Sequence, residues 1–264
     1  MKALRVFKDL VSFLTIIPLA KDESFLENSA RHMFLFPLIG GVIGLLTALY
    51  HSVCQYLLRK LFAILVIPLL LPKELLIEAI SAGATVAFIL ILTGLQHFDG
   101  LVDLGNVIGL KKKEERDTVA HAWIVTYKGA FLAVFIEFMS FLGILLLSSF
   151  AFNALICSEV LAKLAMVTVA WFGKPSGNGL GSLFAKFNSK RKLNVVAYVI
   201  SFSIVSLLFG ILSIPLILMI FILGVAMERV SEKLFGRVSG DILGATNEIS
   251  RAACLILIAI MVNL

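Results

Sequence analysis

The chain has 264 residues, 60% of them hydrophobic and 15% charged, with a mean hydropathy of +1.02. Soluble domains carry about 45–50% apolar and about 25% charged residues, and so few charges cannot cover a compact soluble fold. An ordinary soluble enzyme, a disordered chain and a disulfide-rich secreted domain are excluded, which leaves an all-α, polytopic helical membrane bundle. The net charge of +6 then reads as basic cytoplasmic loops and calls for no nucleic-acid partner. Cys54, Cys157 and Cys254 lie in apolar surroundings without CxxC spacing, as small buried side chains do.

In chain order, residues 2–17 place Leu4, Phe7, Leu10, Val11 and Leu14 at helical spacing, with Lys2, Arg5 and Lys8 elsewhere. That is an amphipathic helix, lying either at the membrane surface or against the bundle. Charges at Lys8 and Asp9, and no small-residue cleavage site after Pro18, argue against a signal peptide. Hydropathy then predicts about seven spans, at 33–52, 75–96, 129–150, 151–172, 194–213, 214–227 and 250–264, at about 20 residues per crossing. Residues 61–72 are shorter and interrupted by Pro68, which suits a re-entrant or interfacial segment. The whole chain, 1–264, reads as a single integral membrane domain.

Charge orients it. Segments 1–31, 97–128, 173–193 and 228–251 hold 19 of the 23 Lys and Arg residues, and with alternating spans they share one side. By the positive-inside rule that side is the cytoplasm, so the expected location is the cell membrane with the polar motif segments 97–128, 173–193 and 228–251 facing the cytoplasm.

Four sets of residues could carry chemistry. Between Gly94 and Gly109, a helix continuing from the 75–96 span puts Asp99, Asp103 and Asn106 at i, i+4 and i+7, on one face. Carboxylates at that spacing repel each other unless a cation lies between them, and hard oxygen ligands suit Mg²⁺; Gly100 leaves room beside Asp99. A solvated, acid-capped helix end is the plainer reading. Before the final span, Asp241 and Glu248 are also i and i+7, with Asn247 adjacent and Gly244-Ala245 as a packing surface. The stretch from Gly173 to Lys186 is glycine-rich and carries Lys174, Asn178 and Lys186 as candidate substrate contacts. Such glycines let backbone amides approach a phosphate, although the stretch lacks a P-loop ending and also reads as a flexible connection. Finally, Glu137 lies within a span, and Glu159 and Lys163 are i, i+4 in the next, as a self-neutralising pair or the lining of a cavity or ion path. His97 stands next to the first acidic group as a candidate phosphate contact.

Five segments in order resemble the cobalamin synthase family, the adenosylcobinamide-GDP ribazoletransferases. They are Leu10-Val-Ser-Phe-Leu-Thr-Ile-Ile-Pro-Leu19, Phe36-Pro-Leu-Ile-Gly-Gly41, His97-Phe-Asp-Gly-Leu-Val-Asp103, Gly179-Leu-Gly-Ser-Leu-Phe184 and Gly240-Asp-Ile-Leu-Gly-Ala245 followed by Glu248. The resemblance implies a Mg²⁺-dependent membrane enzyme that joins adenosylcobinamide-GDP to α-ribazole or its 5′-phosphate and releases GMP. Its partners would be those substrates and the lipid bilayer, and a homo-oligomer is compatible with it. Carried over, Asp99 and Asp103 match the family's paired acidic positions and Asp241 the acidic position before Leu-Gly-Ala, giving a metal set of Asp99, Asp103 and Asp241. Two departures stand out. Where the family has a third acidic residue this chain has Asn106, so either two aspartates suffice or the chain is a weakened form. Asn106 could orient but not deprotonate a hydroxyl, which passes the base to Asp241 or Glu248. In Ala120–Gly129 only Thr126 and Gly129 survive of the family's run. The competing readings are a CDP-alcohol-phosphotransferase-like enzyme, whose longer pattern is absent, and an ion-coupled transporter on Glu137, Glu159 and Lys163.

Overall fold

The computed structural model describes residues 2–20, 22, 24–64, 72–110, 113–120, 124–175, 177 and 179–263. Among these every regular element is helical. Twelve α-helices follow in order: α1 (Lys2–Leu14), α2 (Phe25–Arg31), α3 (Phe36–Ile64), α4 (Lys73–Leu92), α5 (Gln96–Val107), α6 (Lys113–Ala120), α7 (Tyr127–Leu147), α8 (Ala151–Phe172), α9 (Leu180–Asn188), α10 (Val195–Phe209), α11 (Ser213–Phe235) and α12 (Gly240–Asn263).

Six helical runs among the described residues are long and apolar enough to cross a membrane; the chain is a multi-pass membrane protein. The longest, Lys192–Phe235, has 44 residues. Straight, it would measure about 66 Å, twice the thickness of a hydrocarbon core of about 30 Å. It folds instead at Gly210, whose φ of +57° a side chain would disfavour. Counting α10 and α11 separately gives seven spanning helices, close to the number expected.

The bundle is built around α8, which packs on α3, α10, α11 and α12 and is buried at nearly every position from Ala154 to Ala170. A helix that is apolar all round belongs in such a place. Its closest neighbour is α3, and the approach is set by Gly40 and Gly44. A Cβ on Gly40 would lie 2.5 Å from the Glu159 carbonyl oxygen, and one on Gly44 would lie 2.6 Å from the Ile156 Cα. Small residues four apart let two backbones meet where lipid supplies no hydrophobic drive.

Helix α1 packs against the bundle at its C-terminal end and is exposed at its N-terminal end. Leu10, Val11 and Leu14 are in the core, while Leu4 and Phe7 continue the same stripe onto the exposed surface. Three boundaries differ from the hydropathy reading. Residues 61–64 extend α3, and residues 65–71, with the Pro68 interruption, lie outside the described residues. Helix α11 runs past 227 to Phe235, and α12 begins at Gly240 instead of 250. The segment 228–251 is therefore largely helical, and Arg251, expected among the loop charges, is buried inside α12.

Candidate active site

The first acidic group does not continue α4. That helix stops at Leu92, and Gly94 and Leu95 both take positive φ, +68° and +60°. A leucine there costs roughly 1–2 kcal/mol relative to a right-handed turn. The cost is met by hydrogen bonds back into the ending helix, from Gly94 N to the Ile91 carbonyl and from Leu95 N to the Leu90 carbonyl, both 2.9 Å. The chain turns and restarts as α5, so Gln96, His97 and Asp99 occupy a fresh first turn. Helix α5 lies against α12 and α7. A Cβ on Gly100 would stand 2.5 Å from the Asp241 carbonyl oxygen. That glycine draws the first turn of α5 onto the first turn of α12.

Above this contact is a cavity of about 370 Å³, bordered by Gln96, His97 and Asp99 from α5 and by Gly179 to Ser182 at the start of α9. Arg237 to Asp241, Leu243 and Gly244 at the start of α12 close another side, and Phe13, Met166 and Phe235 supply apolar wall. Phe13 is held in place by rings of Phe184 and Phe36, with centroids 4.9 and 5.8 Å away. Three helices thus begin at one cavity. A helix N-terminus carries roughly half a positive charge and unpaired N–H groups, and the arrangement suits an anion. Arg237 adds a full positive charge, and its guanidinium packs where Gly177 has no side chain.

Asp99 and Asp241 therefore border one cavity from different helices. Asp103, one turn farther along α5, is half-buried and does not border the cavity. Among the described residues no group of three or more His, Cys, Asp or Glu is placed to hold a metal, so the expected three-carboxylate set is not assembled. Two carboxylates facing one cavity still fit Mg²⁺, which commonly takes one or two carboxylates plus substrate phosphates.

Asn106, expected beside the reacting atoms, does not border the cavity. It is 3% exposed, its Nδ2 donates to the Ile124 carbonyl at 2.7 Å, and its Oδ1 accepts from the Thr126 N and Oγ1 at 2.9 and 2.8 Å. Both ends of the amide latch α5 to the chain entering α7. Gly105 and Gly129 make that approach possible, because a Cβ on Gly105 would lie 2.7 Å from the Gly129 Cα. Thr126 and Gly129, the survivors of the family's run, are thus partners of Asn106.

Glu248 is also withdrawn from solvent, into a closed ring in the bundle. Arg251 donates to both Glu248 oxygens and, through Nε, to Glu159. Lys163 donates to Glu159 at 3.0 Å and to the Asn247 Oδ1 at 2.7 Å, and the Asn247 Nδ2 returns to Glu248 at 3.0 Å. Glu159 and Lys163 do pair, as expected, but within a larger set that their spacing could not reveal. The ring closes on itself. Beside it, the Glu137 carboxylate oxygens are buried without a hydrogen-bond partner.

His97 connects ring and cavity. Its Nδ1 is enclosed, without a hydrogen bond, and stands 3.6 Å from Glu248 Oε1, while the ring borders the cavity. Burial, reinforced by the positive charges of Lys163 and Arg251, holds its pKa well below the usual 6.5, so the imidazole is neutral.

The expected lysine contacts lie elsewhere. Lys174 is exposed and paired with Glu232 at 2.7 Å, which raises its pKa. Lys186 is exposed near the Phe187 ring, and Asn178 lies outside the described residues. The residues missed were Gln96, Ser182, Arg237 and Ser239. Their signal was adjacency: each is within four residues of a position already singled out.

Residues 6–259 match the cobalamin-5-phosphate synthase family. Proteins named adenosylcobinamide-GDP ribazoletransferase are similar over nearly their whole length. The one from Methanocella arvoryzae is 30% identical, covering 93% of this chain and 91% of its own. Those from Thermococcus kodakarensis and Archaeoglobus fulgidus are 29% and 26% identical, each covering 96% of this chain and 98% and 96% of their own. No solved structure matches. A match that spans the helical bundle and every segment bordering the cavity places this chain in the cobalamin-5-phosphate synthase family.

Proposed function

We propose that the chain joins adenosylcobinamide-GDP to α-ribazole or its 5′-phosphate at the Asp99–Asp241 cavity, releasing GMP on the cytoplasmic side of the cell membrane. The observation that carries this is the meeting of three helix N-termini, two carboxylates and Arg237 around one cavity, a set suited to a pyrophosphate. A ribose hydroxyl of α-ribazole attacks the phosphorus bonded to the cobinamide arm. The new P–O bond forms as the bond to the guanylate oxygen breaks, and GMP leaves with the charge of that oxygen. Such a transfer asks the protein mainly for positioning and charge neutralisation.

Arg237 and the backbone N–H groups opening α9 and α12 receive the phosphate oxygens. Asp99 and Asp241 would hold Mg²⁺, whose charge would offset the charge developing on the pyrophosphate. Neutral His97 borders the cavity and would accept from the attacking hydroxyl through a ring nitrogen. Glu248, held in the ring by Arg251 and Asn247, is left as a structural acid. The corrinoid is too large for the cavity and would lie over its mouth.

The test is GMP release by purified protein supplied with Mg²⁺, adenosylcobinamide-GDP and α-ribazole. Wild type should release GMP, and Asp99→Asn or Asp241→Asn should each lower the rate about a hundredfold or more. No GMP from wild type would overturn the assignment, and full activity in both variants would overturn the site.

A further inference from the structure

A second pocket shares no lining residue with the Asp99–Asp241 cavity. It is a groove of about 360 Å³ between α1 and α2, bordered by Lys2, Arg5, Glu27, Arg31 and His32. Its frame is rigid: Asn28 of α2 donates to the buried Asp9 of α1, and the Ser29 hydroxyl donates to the Asp9 carbonyl at 3.2 Å. The lining charges are three cations against one carboxylate. Arg5 keeps one side of its guanidinium on Asp22 and Ser24. Arg31 bonds Glu27 and lies 4.3 Å from the Phe187 ring centroid. Both remain more than half exposed.

Depth decides the occupant. His32 is followed at once by the spanning run that begins at Met33. Arg191, just before the run that begins at Lys192, donates to the Arg31 carbonyl. Two membrane spans therefore start beside the groove, which sets it at the level of lipid headgroups. On α1 the apolar stripe of Leu10, Val11 and Leu14 runs out of the core to Leu4, 60% exposed, and Phe7, 37% exposed. A helix with a basic face and an apolar face at that depth lies in the interface.

We propose that this groove binds the headgroup phosphate of an acidic phospholipid, with Lys2, Arg5 and Arg31 on the phosphate and the acyl chains against Leu4 and Phe7. Free phosphate would satisfy the cations but leave the apolar stripe uncovered. The proposal is independent of the catalytic reading.

The experiment measures retention of phosphatidylglycerol and phosphatidylcholine by the full chain, by native mass spectrometry. Phosphatidylglycerol should be held in preference. Each Lys or Arg removed should weaken it about fivefold, and Lys2→Gln with Arg5→Gln about thirtyfold. Arg31→Gln should act alone in the same direction, with thermal melting unchanged in every variant. Leu4→Ser with Phe7→Ser should also lose the lipid, while inorganic phosphate at matched ionic strength should not displace it. Equal retention of the two lipids, or unchanged retention in the basic-to-Gln variants, would overturn the proposal. Displacement by inorganic phosphate would overturn it in favour of a free-phosphate site.

Discussion

Arg237 and Arg251 come from one stretch of sequence and live in opposite surroundings. Arg237 precedes α12 and borders the cavity; Arg251 lies within α12, is 1% exposed, and bonds Glu159 and Glu248. The cavity collects charge at helix starts, on a surface that a ligand can reach. The ring collects charge whose members satisfy one another inside an apolar bundle. In a chain with so few ionisable residues, burial separates the two roles, and residue type does not.

The largest effect should come from breaking the ring. Arg251→Met leaves Glu159 and Glu248 without their shared cation in the bundle, and an uncompensated buried charge costs about 3–5 kcal/mol. Thermal melting in detergent should fall by about 10 °C. An unchanged melt would mean that the ring is hydrated and not structural.

Arg237→Gln should do the converse. Losing a charged donor to phosphate is worth about 1.5–3 kcal/mol, so KM for adenosylcobinamide-GDP should rise about tenfold to a hundredfold, with a smaller fall in melting temperature than Arg251→Met gives. Arg237→Lys should recover only part, because an ammonium cannot offer the paired donors of a guanidinium. A KM unaffected by Arg237→Gln would move the phosphate out of this cavity.

Asn106→Asp tests the latch between α5 and the chain entering α7 and should rank third. It converts a buried amide donor into an acceptor facing the Ile124 carbonyl, which costs about 1–3 kcal/mol. Activity per folded molecule should not rise. A gain in activity would return position 106 to the reacting centre.

The contrast also explains what was legible. Spans follow from apolar runs, and the helical i, i+7 spacing of the two acidic motifs singled out Asp99 and Asp241, which border one cavity. The break at Gly94–Leu95 was hidden, because leucine gives no sign of a positive φ. The ring was hidden for another reason: Lys163 meets Asn247 across 84 positions and Arg251 meets Glu159 across 92. Only the packing of α12 on α8 brings them together, and no local pattern encodes that. Asn106 was read as a failed carboxylate because its partners, Ile124 and Thr126, lie on the next helix entrance.

The smallest effect links the two regions. His97 borders the cavity but faces the ring, and burial with Lys163 and Arg251 holds its pKa well below 6.5. The unfolded chain takes up a proton there near the ordinary value, and the native chain does so only at lower pH. Between those values the unfolded state binds more protons, so stability rises with pH. His97's contribution is therefore complete above pH 6.5 and is lost as pH falls toward the native value, by at most about 1.4 kcal/mol per pH unit. Melts of wild type and His97→Gln, compared from about pH 7.5 to about pH 5.5, should show the steeper decline in wild type. Equal slopes would mean that His97 titrates as an open cavity residue, and the line between cavity and ring would then run beneath His97 instead of through it.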